Sequence, residues 1–207
     1  MSFWELAAYC VGLGLLELEN MQAGQFMLSR PSVVGALIGL LTGRLVEGAR
    51  MGVFLELLFL DQAPMGGIIP PSGLVAAGAG VLLMAGAGLE FSMAFALSIL
   101  LGYAYSRLQL PLRNMRNSWN GKIDAAADRG KTDLSGWIVK ALVSETAACT
   151  VLLLAGIPVA ATAGNWLWNN GPGQIRSALV FACSTAPWLG MAALLFRFKP
   201  RLSAGER

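Results

Sequence analysis

Between Asp61 and Arg107 the chain carries a single charged residue, Glu90. A stretch so long and so poor in charge has no polar face to offer water. It is enough for two membrane spans at about 20 residues each. Gly86-Ala87-Gly88, just before Glu90, predicts the break between them. Two further spans are predicted later. One runs from about Trp137 to Thr162 and contains Lys140, Glu145 and Pro158; the other, Ser177 to Phe196, has no charge. Of the 207 residues 56% are hydrophobic and only 13% charged, where soluble domains carry roughly 25% charged. The expected fold is an all-α integral membrane protein with little room for a soluble domain.

The first third is built differently. Met1 to Asn20 lacks a basic start, has Glu5 early and ends in Glu17 and Glu19, so it reads as a retained membrane segment rather than a cleaved signal. Ser32 to Val46 is apolar but short, and Arg44, Glu47 and Arg50 crowd its end. Met51 to Leu60 is also short. Two short apolar segments with charges between them predict broken or re-entrant helices, tolerated at membrane depth only where protein or a watery cavity satisfies the backbone. Gly35, Gly39 and Gly43 recur every four residues and predict a smooth helix stripe for close packing.

The polar middle, Arg107 to Asp133, has six basic residues, Arg107, Arg113, Arg116, Lys122, Arg129 and Lys131, against Asp124, Asp128 and Asp133. Trp119, Ile123, Ala126 and Ala127 recur at helical spacing, with Gly130 placed as a C-cap, so Asn117 to Arg129 reads as an amphipathic surface helix. The net charge of +3 comes from basic residues lying between apolar spans. That is a topology signal and not a nucleic-acid footprint. The expected organisation is residues 1–106 as N-terminal membrane segments, 107–136 as a cytoplasmic connection, 137–198 as two spans and 199–207 as a basic cytoplasmic tail. Trp166 and Trp168 then fall at the outer interface.

The stretch FLELLFLDQAPMGGIIPPSG, Phe54 to Gly73, begins as a membrane helix, holds Glu56 and Asp61, and breaks into prolines and glycines while staying apolar. A carboxylate at membrane depth normally faces a cavity or a partner. Glu56 is the better embedded of the two, and on a helix they would lie about 140° apart. A fixed, shielded carboxylate is a strong acceptor for a sugar hydroxyl, and the broken segment offers free backbone groups beside it. The competing role is pairing with Arg30, Arg44 or Arg50. Glu17, Glu19, Asn20, Gln22 and Gln25 form a second polar cluster, either cavity lining or interface. Glu90 and Glu145 read as structural. Cys10, Cys149 and Cys183 sit in apolar runs without C-x-x-C spacing and read as small buried hydrophobes, not metal ligands or disulfides. Histidine is absent, so no phosphohistidine can form on this chain. No phosphate loop, nucleophile elbow or metal cluster is present, and neither catalytic residues nor a cofactor is expected.

Three stretches resemble the IIC subunits of the mannose/fructose/sorbose family of the phosphoenolpyruvate-dependent sugar phosphotransferase system. QFMLSRPSVVGALIGLLTG, Gln25 to Gly43, is similar to F-x-x-x-R-P-L-V-x-x-x-L-x-G-x-x-x-G. GVFLELLFLDQAPMGGIIPPSG is similar to G-x-x-L-E-L-I-x-L-G followed by I-G-x-x-x-P-P-D. IDAAADRGKTDLSGWIV, Ile123 to Val139, is similar to A-D-x-G-x-x-x-x-I-x-W. Their order and spacing agree over about residues 20 to 140.

The resemblance implies a sugar-translocating membrane subunit of the bacterial inner membrane, multi-pass and oligomeric, with re-entrant hairpins. It would assemble with a IID membrane subunit, while IIA and IIB components phosphorylate the sugar. The family glutamate falls on Glu56 and the R-P pair on Arg30 and Pro31. The candidate sugar contacts are Glu56, Gln25, Asp61, Gln62 and Ser72; Gly35, Gly39, Gly43, Arg30 and Pro31 are the candidate packing residues. Departures from the pattern are Met27, Pro64, Asp61 in place of a glycine, and Ser72 in place of an aspartate. Family members also commonly continue through further apolar segments. Two alternatives follow: a non-transporting regulatory or binding subunit of the same fold, or a small-solute transporter subunit of another class, such as the membrane component of an ATP-driven vitamin system.

Overall fold

The computed structural model describes residues 1–21, 26–60, 69–128 and 134–198. Eight helices lie among them: α1 (Phe3–Met21), α2 (Pro31–Leu41), α3 (Leu45–Phe59), α4 (Gly73–Ala87), α5 (Phe91–Asn117), α6 (Asn120–Ala127), α7 (Ser135–Asn170) and α8 (Gly173–Phe198). There is no strand among the described residues. The basic tail, 199–207, and Gly130 lie outside them.

Three helices, α5, α7 and α8, are long and apolar enough to cross a membrane. Their outward residues, including Val143, Val151, Val159, Phe181, Leu189 and Leu195, are exposed, as lipid-facing side chains are. α4, with 15 residues, rises only about 22 Å, short of a hydrocarbon core about 30 Å thick. It can be short because it never meets lipid: every residue from Leu74 to Met84 is buried. Its sequence, GLVAAGAGVLLMAGA, is small and apolar on all sides, which suits a helix surrounded by others. Gly88 ends it in the left-handed conformation (φ +64°), and Glu90 opens α5 by accepting from the Ser92 amide at 2.7 Å. The predicted break therefore falls at a C-cap followed by an N-cap.

α2 and α3 form a tight antiparallel hairpin whose contact is backbone on backbone. A methyl group on Gly39 would come within 2.8 Å of the Arg44 carbonyl, and one on Gly48 within 2.7 Å of the Gly39 Cα. Gly35 and Gly52 are as closely confronted, by Gly48 and by Pro31. The packing stripe is thus shared between two helices. Gly43 is not part of it, contrary to the sequence expectation: α2 ends at Leu41, and Gly43 (φ +73°) makes the turn in open space. The four-residue spacing continued past the end of the helix that used it.

α5 runs past Arg107 to Asn117, through Pro111. The boundary placed at 106/107 lies inside this helix, and the separate surface helix is only α6. Charge marks where apolar sequence ends, but Leu108, Leu112, Arg113 and Arg116 continue the helix beyond that point, and a proline is tolerated there. Trp119, 8% exposed, then folds back against Trp137 at 5.8 Å between centroids, with the Lys140 ammonium 4.7 Å above its ring. α1 lies along α7, where the Thr150 hydroxyl donates to the Cys10 carbonyl at 3.4 Å. All three cysteines are buried and unpaired.

Candidate functional site

Four helix ends converge inside the bundle: the N-termini of α2 and α4 and the C-termini of α1 and α3. Pro31, first residue of α2, packs so closely on Gly73, first residue of α4, that a methyl there would lie 2.6 Å from the Pro31 ring. Each N-terminus carries positive partial charge and spare amide donors. Each is answered by a carboxylate from another helix.

At α4 the N-cap is Ser72. Its hydroxyl accepts from the Val75 amide at 3.2 Å and donates to Glu17 Oε2 at 3.0 Å. Glu17, at the end of α1, is 1% exposed. At α2 the carboxylate is Glu56, from the last turn of α3. Its Oε2 accepts from the Ser32 amide and its Oε1 from the Arg30 guanidinium, both at 3.1 Å. The pairing with Arg30 named as the competing role is therefore present. It also fixes the carboxylate, whose side chain stays 20% exposed. Glu19, 8% exposed, accepts from the Leu28 amide at 3.1 Å, and its Oε2 has no hydrogen-bond partner among the described residues.

Of the candidate contacts, Glu56 and Ser72 are thus brought to one level of the bundle. Gln25, Asp61 and Gln62 lie outside the described residues, as do Pro64, Gly66 and Gly67. Arg30 and Pro31 stand at the same level as N-cap and first residue of α2. The structure adds residues that sequence reasoning set aside or missed. Tyr105 and Glu145, both buried, are joined by a 2.7 Å hydrogen bond, and Arg116 pairs with Glu145 at 2.6 Å. Gln109 is 3% exposed on the same face of α5 as Tyr105. The period Ser98, Gly102, Tyr105, Gln109 was legible as a polar stripe on an apolar helix. No group of residues placed to hold a metal occurs among the described residues.

The family model described as the PTS system sorbose-specific IIC component matches residues 4–198. The chain belongs to that family. It is a membrane permease subunit of a sugar phosphotransferase system and not itself the enzyme that phosphorylates the sugar. No curated protein matches it. One solved structure, titled only as that of a membrane protein, is similar with a TM-score of 0.77 at 20% identity over 95% of this chain and 79% of that one. Another, from the cryo-EM complex of the mannose transporter ManYZ with microcin E492, has a TM-score of 0.66 at 20% identity over the same shares, 95% and 79%. These two likenesses are of fold.

Within this IIC chain Ser72 stands where the resemblance leads one to expect aspartate, and its bond to Glu17 argues against a second carboxylate at this cap. Aspartate would cap α4 equally well but would set a second carboxylate against Glu17. Ser72→Asp is expected to lower stability by roughly 2 kcal/mol, read as a fall in the unfolding midpoint in detergent. A variant as stable as wild type would mean that Glu17 does not depend on the hydroxyl.

Proposed function

We propose that this subunit carries a hexose or amino sugar through the point where the four helix ends meet, with Glu56, Glu17 and Ser72 receiving its hydroxyl groups. The observation that supports this reading is the pairing of a carboxylate with each of two helix N-termini inside a membrane bundle. Each carboxylate is held by donors from its own chain, so it is fixed before the sugar arrives, and Glu56, with its side chain 20% exposed, keeps lone pairs for a hydroxyl. The carboxylates supply acceptors and the half-exposed Arg30 guanidinium beside Glu56 supplies donors, the mixed complement that a polyol needs, while Ser72, its proton already given to Glu17, adds one further acceptor. Gln25, Asp61 and Gln62 are proposed as further contacts from the connecting segments.

The phosphate comes from elsewhere in this reading. A chain without histidine cannot relay it as a phosphohistidine, so IIA and IIB components phosphorylate the sugar and a IID membrane subunit completes the translocating unit. The mannose transporter ManYZ supports the fold of such a subunit. The proposed location is the bacterial cytoplasmic membrane, with residues 107–136 and the basic tail on the cytoplasmic side.

The test is sugar phosphorylation by membrane vesicles holding this chain with its partner subunits, given phosphoenolpyruvate and a panel of labelled hexoses and amino sugars. Glu17→Gln and Glu56→Gln are each expected to lower the rate at least tenfold, one lost charge-assisted hydrogen bond being worth about 1.5–3 kcal/mol. Assembled subunits that phosphorylate no sugar would point instead to a regulatory role for this chain.

A further inference from the structure

A groove of about 700 Å³ runs along the outside of the bundle between α5 and α7. Its walls include Leu101, Ala104 and Leu108 from α5 and Val151, Ala155 and Val159 from α7. Val151 is 65% and Val159 67% exposed, so the groove opens towards the bilayer. It lies away from the convergence of helix ends and has no part in the proposed sugar path.

The groove ends at Leu108 and Ala147. Lys140 stands two helical turns before Ala147 on α7, its ammonium 4.7 Å and 5.5 Å from the ring centroids of Trp119 and Trp137, which lie tilted against each other. Aromatic rings and lysines in this arrangement sit at headgroup depth. Arg107 is exposed, one helical turn beyond Ala104 on α5. It makes no ion pair among the described residues, whereas Arg116 nearby is already neutralised by Glu145. Arg107 thus flanks the end of the apolar groove, with Lys140 two turns further along α7, and neither makes an ion pair among the described residues.

We infer that this groove binds one anionic phospholipid, an acyl chain lying between α5 and α7 and the phosphate on Arg107 with Lys140 beside it. The charge pattern matches such a lipid, since basic residues between membrane helices at the interface recognise acidic headgroups. The shape favours a hydrocarbon chain over another helix. Close docking of membrane helices is favoured by small residues, and the small ones here, Ala104, Ala147, Ala148 and Ala155, are interrupted by Leu108, Val151 and Val159. Here Leu101 already covers Gly156, where an added methyl would lie 2.8 Å from Leu101 Cδ2. Leu108, Val151 and Val159 then hold a second backbone off, while a thin flexible chain fits between them.

The experiment uses the full chain purified in detergent and loaded with phosphatidylglycerol or phosphatidylcholine of identical acyl chains. Retained lipid is counted by native mass spectrometry. Phosphatidylglycerol is expected to be held roughly fivefold more tightly, the contribution of one basic residue at the interface. Arg107→Gln should remove that preference and leave phosphatidylcholine retention unchanged. Ala155→Trp and, separately, Val151→Trp should fill the groove and release both lipids; two exposed positions guard against one variant failing to fold. Equal retention of the two lipids by wild type would overturn the inference. So would competition by glycerol phosphate alone as strong as by the whole lipid, which would mark a plain anion site. A change of oligomeric state in the tryptophan variants with lipid retention intact would assign the groove to a second copy of the chain instead.

Discussion

One methyl group added at Gly48 is expected to destabilise the protein by about 3 kcal/mol. The new carbon would meet the Gly35 carbonyl and lie 2.7 Å from the Gly39 Cα. Both obstacles are backbone, and neither can rotate aside as a side chain would. Relief requires α2 and α3 to move apart, which also disturbs Glu56 on the Ser32 amide and the pairing with Arg30. The control is Gly12→Ala in α1, where nothing lies within 4 Å of the added methyl. There alanine should be neutral or stabilising by about 0.5–1 kcal/mol, because glycine is the poorer helix former. Thermal unfolding of both variants in detergent measures the difference. If Gly48→Ala melts with Gly12→Ala, the hairpin is not packed backbone to backbone.

The contrast between these two glycines shows what a sequence of this kind discloses. Spans are legible because water and lipid sort residues by composition, but the charge-poor run from Gln62 to Ser106, expected to cross twice, holds one helix long enough to cross, α5; α4 is just as apolar because it is enclosed by other helices, a surrounding that composition does not distinguish from lipid. The break at Gly88 and Glu90 is legible because caps are local chemistry. That the helices α2 and α3 are short is legible from the charges between their apolar runs, but their boundary is not: the turn lies at residues 42–44, and Glu47 and Arg50, expected between the helices, are inside α3. What a glycine faces is not local. Gly35, Gly39 and Gly43 share one spacing, yet the helix stops before the third, and their true partners, Gly48 and Gly52, lie across the turn. α5 outlasts its apolar stretch because helix propensity does not end where hydropathy falls.

The candidate site divides in the same way. Glu56 stands out because a carboxylate in an apolar run is costly, and its two possible roles, acceptor or partner of Arg30, could both be named. The sequence could not choose Ser32 as the second partner. Ser72 was singled out by its departure from the family pattern. Its hydrogen bond to Glu17, 55 positions away, depends on how α1 lies against α4, and no periodicity encodes that. Glu145 looked structural from its neighbours alone; its bond to Tyr105 spans 40 positions.

That bond carries the second large effect. Glu145, 2% exposed, holds Arg116 at 2.6 Å and Tyr105 at 2.7 Å, tying the extension of α5 to α7. Glu145→Ala is expected to destabilise by about 3 kcal/mol, because it leaves the buried Tyr105 hydroxyl without its acceptor and the Arg116 guanidinium, 20% exposed, without its counter-charge. Much of that loss comes from the groups left unpaired and little from the net worth of the pair. The double replacement Glu145→Met with Arg116→Leu should therefore recover most of the stability, since a well-packed apolar pair is often equivalent to a buried ion pair. Thermal unfolding of Glu145→Met, Arg116→Leu and the double closes the cycle. Additive losses in the double variant would mean that Glu145 and Arg116 act independently, and the link between α5 and α7 would then rest on Tyr105 and apolar packing.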